Sequence, residues 1–167
     1  MTGSPARSAA RAMVVAALML ALAGCAAQAP PPQVAIATPP PEVDAPPGRI
    51  PPQDLVGRWG FVAYHKQADR ARTEVAARGL CNQPYVIGPG PTGGIMMHLA
   101  DQSQPEELRV KGGPGGRNYI GPQGPAADTR DREVVSFDGR VLVLRWIDPE
   151  IAGRYGTGLY VRCVGRA

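Results

Sequence analysis

EVVSFDGRVLVLRW, residues 133–146, decides how this chain folds. Two runs of branched and aromatic residues flank Asp138-Gly139. Asp-Gly suits a type I′ turn, whose two central residues both need positive φ. A two-residue loop there sets the pairing: Phe137 opposite Arg140, Val135 opposite Leu142, Glu133 opposite Leu144. Opposed side chains share one face of a sheet. Val135, Phe137, Leu142, Leu144 and Trp146 are therefore expected to face the core. Val134, Ser136, Val141, Val143 and Arg145 form the other face. That face is half apolar and needs partial cover, by a helix of this chain or by a partner protein.

Working outward, everything after Cys81 reads as β. Short apolar runs alternate with Gly, Pro, Asn and Asp turns: 85–87, 95–99, 107–110, 118–120, 133–137, 141–146 and 158–164. A first strand is expected within 54–62, where aromatic and branched residues follow the last prolines. About eight strands in so short a domain imply a small antiparallel β-barrel or sandwich. Residues 66–78 have a different period. Ala68, Ala71 and Val75 make one helical stripe, Glu74 stands four residues from both Arg70 and Arg78, and Gly79 is placed to end the helix.

Composition agrees. Glycine and proline make up 40 of 167 residues, about twice the usual share, which excludes a helical bundle for the chain as a whole. A hydrophobic content of 44% excludes complete disorder. The net charge is +4, and two of the arginines, Arg7 and Arg11, sit in the N-terminal leader. Lysine occurs only at Lys66 and Lys111, and no basic cluster of the kind a nucleic-acid interface requires is present. No nucleic-acid partner is expected.

Residues 1–24 read as a signal segment: two arginines, no acidic residue, then an uncharged run from Ala12 to Leu22. The run is too short to span a bilayer comfortably. It ends in Leu22-Ala23-Gly24-Cys25, which resembles the lipobox of bacterial lipoproteins. The resemblance implies cleavage before Cys25 and its modification with a diacylglycerol thioether and an N-acyl chain such as palmitate. Several acyl chains anchor stably where one does not. Ala26, in place of Asp, implies the outer membrane of a Gram-negative envelope. Residues 25–53 follow as a tether, with ten prolines between positions 26 and 53. Proline locks φ and lacks an amide donor, so extended polyproline II is expected there, without helix or sheet. The β domain is expected over 54–167.

With Cys25 taken by lipid, Cys81 and Cys163 remain, and in an exported protein they are expected to form a disulfide. A reactive thiol or a metal site is the alternative, but neither cysteine has a CxxC partner and the only histidines are His65 and His98. Gly88-Pro89-Gly90-Pro91-Thr92-Gly93 matches G-x-G-x-x-G, yet a strand-like run follows instead of the helix that a pyrophosphate site needs. Glycines 112, 115, 121 and 124 keep a triplet register too briefly for a collagen helix. Asp128, Asp131 and Glu133 invite a calcium reading, but Arg130 and Arg132 are interleaved with them, which argues for a solvated turn. His98 lacks an evident nucleophile and orienting group, so no catalytic residue, cofactor or metal is assigned.

Gly57-Arg58-Trp59 in the first strand resembles the G-x-W that opens lipocalins and related calycin barrels. It also resembles the opening of small bacterial barrels that inhibit secreted metalloproteases, some of which are outer-membrane lipoproteins. The resemblance implies that the glycine makes room at the barrel end and the tryptophan plugs its base. Three functions are thus in view. One is a non-catalytic envelope lipoprotein whose tethered domain binds another envelope component or has a structural role. The others are a barrel inhibitor of a protease and a calycin-like holder of a small ligand. The last needs a hollow interior, which two Phe and two Trp would hardly line.

The lipobox makes a direct prediction. Cys25→Ala should abolish incorporation of labelled fatty acid and move the protein to the soluble fraction. A variant that is still acylated and sediments with membranes would contradict it.

Overall fold

The computed structural model describes residues 43–164. The signal segment, Cys25 and the tether as far as residue 42 lie outside the described residues. Eight strands run β1 Gly57–Tyr64, β2 Tyr85–Pro89, β3 Ile95–His98, β4 Pro105–Gly112, β5 Asn118–Gly121, β6 Arg132–Phe137, β7 Val141–Trp146 and β8 Thr157–Arg162. They form a closed barrel in chain order, each antiparallel to its neighbours. β8 returns to β1, pairing from Trp59 opposite Arg162 to Tyr64 opposite Thr157. The architecture is therefore the mainly-β, eight-strand arrangement expected, as a barrel without free sheet edges.

One end of the barrel is sealed. The fully buried Trp59 indole donates to the Leu55 carbonyl at 2.9 Å. Leu55 belongs to a single helical turn, α1 Pro52–Leu55, which lies across the opening. The Arg162 guanidinium stacks 4.2 Å from the Trp59 ring centroid. It also donates to the carbonyls of Gly139 at 2.8 Å, Val56 at 3.1 Å and Asp54. Gly57 has φ +149°, and a Cβ there would stand 2.8 Å from that guanidinium. Only glycine combines that backbone with that clearance. Above this seal Ile87, Ile95, Met97, Leu108, Ile120, Leu142 and Leu144 fill the interior.

The barrel's outer face is covered by a helix over β1 and β8. A short 3₁₀ turn at Gln67–Asp69 leads into α2 Arg70–Gly79. Its buried residues are Thr73 and Ala77, whereas Ala68, Ala71 and Val75, the expected stripe, are exposed. The reason is proximity. A Cβ on Gly60 would come within 1.8 Å of the Ala77 carbonyl oxygen, so α2 lies close on β1 and only small side chains fit between. Of the expected ion pairs Glu74–Arg78 forms; Arg70 instead reaches the Ser136 hydroxyl at 3.3 Å. Tyr64, Ala77, Val143, Leu159 and Val161 make a second core beneath the helix. The half-apolar face containing Val143 is thus covered within the chain.

The hairpin departs from its expected register. Phe137 pairs with Leu142, not Arg140, and Gly139-Arg140 form the tip. Asp138 supplies the turn through its side chain: Oδ1 accepts from the amides of Arg140 at 2.8 Å and Val141 at 2.7 Å. This Asx-type closure replaces the type I′ geometry. A bulge between Val134 and Ser136 then shifts the pairing again, so Val134 faces Leu144 and Glu133 faces Arg145. Val134 packs on the core, and Val135, expected inside, is 45% exposed. A bulge leaves one residue unpaired and reverses the alternation behind it.

Two elements correct the reading further. Residues 149–155 are helical, not β. In α3 Pro149–Tyr155, Asp148 caps the amides of Glu150 at 2.7 Å and Ile151 at 3.2 Å, with Pro149 in the first turn. The end of the expected tether is also part of the domain. Gly48 donates to Val110, Gly112 donates to Pro46, and Pro47 forms a bridge with Lys111, so residues 46–48 lie along β4. The Cys81–Cys163 disulfide is present, with Cα atoms 5.5 Å apart. It clips the turn after α2 to the end of β8. Among the described residues no helix is long and apolar enough to cross a membrane.

These faces predict a ranking in urea unfolding of the domain. Leu144→Ala should cost about 2–5 kcal/mol. Val143→Ala, which strips two methyl groups from the core beneath α2, should cost about 2 kcal/mol. Arg145→Ala removes an exposed ion pair with Glu133 and should cost under about 1 kcal/mol. Equal costs for Val143 and Arg145 would contradict the helix cover.

Candidate functional site

The barrel is filled from the Trp59 end to Leu144 and Met97, and then opens. At the opposite end lies a cup of about 540 Å³ lined by Phe61, Tyr85, Trp146, Tyr155 and Tyr160, with Leu144 in its floor. Strand alternation places these residues. Phe61 and Ala63 follow Trp59 on the inward parity of β1, Tyr160 and Gly158 precede Arg162 on β8, and Trp146 follows Leu144 on β7. Phe61 stacks on Tyr160 with centroids 4.6 Å apart, and Tyr85 meets both rings at 5.8 and 5.6 Å. A Cβ on Gly158 would stand 3.1 Å from both the Phe61 and Tyr160 rings, so the missing side chain leaves them room. Three of the five rings are tyrosines, which explains how so few Phe and Trp line an apolar cup.

The rim is held by a latch. Asp101, in the loop after β3, has φ +61°, and its carboxylate takes a two-pronged contact from Arg154 at 3.1 and 2.8 Å. Tyr155 donates to the same carboxylate. These hydrogen bonds hold the Asp101 carboxyl below its ordinary value. The latch joins the 99–104 loop to α3 across the mouth. His98 belongs to the rim as well. Its backbone amide donates to the Tyr85 hydroxyl at 2.9 Å, and its Nδ1 lies 3.3 Å from the same oxygen. It packs edge-on against the Tyr85 ring.

Arg132 also lines the cup. It was expected in a solvated turn, but it opens β6 on the inward parity and is only 3% exposed. Its guanidinium lies 4.8 Å from the Trp146 ring centroid, and Nη2 is 4.0 Å from the Met97 sulfur. Nε is buried without a partner. Beside it, burial pushes the Tyr160 phenol up to about 12, against the opposing pull of the Arg132 charge.

Comparisons with protein families, with curated proteins and with solved structures returned no match for this chain. What it does is read from its own geometry.

The other sequence candidates lie elsewhere. Cys25 falls outside the described residues, and Cys81 and Cys163 are joined to each other. In the 88–93 segment Gly88 and Pro89 end β2 and the rest is a hairpin loop held by Glu107, whose carboxylate accepts from the amides of Thr92 at 2.9 Å and Gly94 at 2.7 Å. Asp131 is not solvated. It is fully buried and pairs with Lys111 at 2.7 Å. Lys111 also donates to the carbonyls of Pro122 at 3.0 Å and Pro125 at 2.7 Å, pinning the loop between β5 and β6. Among the described residues no three His, Cys, Asp or Glu side chains are grouped to hold a metal.

The buried phenol gives a pH prediction. Tyr160 keeps its proton more tightly folded than unfolded, so its contribution to stability is complete below about pH 10 and falls as pH rises towards 12. Between pH 9 and 11 the wild type should lose about 1 kcal/mol more unfolding free energy than Tyr160→Phe, measured in urea. Parallel losses would place Tyr160 in an ordinary environment.

Proposed function

We propose that this chain is a lipid-anchored, non-catalytic envelope protein whose barrel holds a small, flat, apolar molecule in its open mouth. The observation that carries the reading is the gathering of five aromatic rings around one cup above a sealed base. Stacking surfaces at the mouth of a barrel are the usual form of a small-molecule site. The filled lower half sets a length limit, so a compact ring system fits where an extended acyl chain does not. The lipobox and signal segment support an anchored location, and Ala26 supports the outer membrane. Of the three readings raised by the sequence, small-ligand holding is favoured over binding of an envelope component or a protease, because the sheet face that would have served a protein partner is covered by α2.

The test is titration of the domain with N-phenyl-1-naphthylamine, a neutral ring probe whose emission rises in apolar surroundings. Saturable binding is expected, weakened at least tenfold by Ala63→Trp, which fills the cup from its wall. Circular dichroism checks that the variant is folded. An unaltered affinity in a folded variant would move the site away from the cup.

A further inference from the structure

An arginine cannot shed its charge inside a protein, and a buried cation without a counter-ion is costly. Arg132 is in that position. Among the described residues no carboxylate pairs with it; its two acidic neighbours in sequence are engaged elsewhere, Asp131 with Lys111 and Glu133 with Arg145. Its buried contacts are the Trp146 face, the Met97 sulfur and the neutral Tyr160 phenol, none of them a counter-ion, and Nε has no partner. An indole face recovers only part of what water would supply. The remaining donor capacity lies in the wall of the cup, beside the rings of Trp146 and Tyr160.

We propose that the ligand of this cup is a compact aromatic monocarboxylate whose carboxylate pairs with Arg132 while its ring packs among Phe61, Tyr85, Trp146 and Tyr160. The proposal rests on the cup being a ligand site and adds the charge and head group. A carboxylate matches the planar fork of a guanidinium. A single negative charge is favoured because, among the described residues, Arg132 is the only arginine or lysine lining the cup. The next charge on the rim is the carboxylate of Asp101, already matched by Arg154, and it would repel a second anionic group. An anion that completes a buried pair gains more than it would at the surface, since little water competes for the same donors.

Isothermal titration calorimetry with 1-naphthoate and its primary amide, 1-naphthamide, separates the claims. The two probes share shape and ring and differ in charge. The wild type should bind naphthoate at least tenfold more tightly than the amide. In Arg132→Met, whose side chain continues the apolar floor beside Met97, the preference should fall to within twofold while the amide still binds. That variant should also melt higher than the wild type without ligand, because it removes an uncompensated buried charge; a lower melting temperature with the preference intact would make Arg132 a structural residue and overturn the proposal. Equal binding of both probes by the wild type would overturn the anion site and leave the ring site standing. Failure of both probes and of the neutral naphthylamine would overturn the cup reading itself, and this proposal with it.

Discussion

Closure of the sheet upon itself governs everything else in this domain, and it is secured where Arg162 of the last strand lies on Trp59 of the first. One guanidinium ties together four parts of the chain: the indole, the turn carbonyl of Gly139, and the carbonyls of Val56 and Asp54 that lead into the barrel. Each is a backbone or ring acceptor that would otherwise face a void at the barrel's end. Gly57 is required because its neighbour in space is that same cation. With one end sealed this way, the polar and aromatic residues displaced from the packing gather at the other end, and the cup is the result.

Much of this was legible in the residues. The turn-separated β runs, the helix after the first strand and the pairing of Cys81 with Cys163 all followed from local chemistry. The alternation of β7 was also readable, and Leu142, Leu144 and Trp146 line the interior as expected. The register of the hairpin was not. Asp138-Gly139 suits two turn geometries, and the choice is made by the Asp138 side chain, which bonds forward to Arg140 and Val141. The bulge at Val135 has no mark in the sequence, because Val134 and Val135 are chemically the same and either could face inward.

That ambiguity concealed the site. With the bulge unseen, Arg132 falls on the outer face among charged neighbours and reads as a solvated residue. Once Val135 is set aside, Arg132 and Val134 share the inner parity, and a cation enters the barrel. The tyrosines were hidden for a different reason. Tyr85 is far in the chain from Tyr155 and Tyr160, and only barrel closure brings it to the same cup. The helix stripe failed because two alanine-bearing faces compete in 66–78. The thin face with Ala77 is selected by the notch at Gly60 on the strand below, a constraint that lies outside the helix's own sequence.

The disulfide also bears on how the domain assembles. The first and last strands must find each other before either has a full set of partners, and that pairing carries the largest loop-closure cost in the fold. The Cys81–Cys163 bond spans 82 residues and sits beside that seam, between the end of α2 and the end of β8. Once oxidised, the unfolded chain is already a ring whose joint lies next to the final strand pair. The search for the closing register is then confined to a short arc. A barrel with two distant ends to unite thereby becomes, in kinetic terms, closer to a protein built from local contacts. An oxidising compartment would help determine how quickly the fold is reached as well as how firmly it holds.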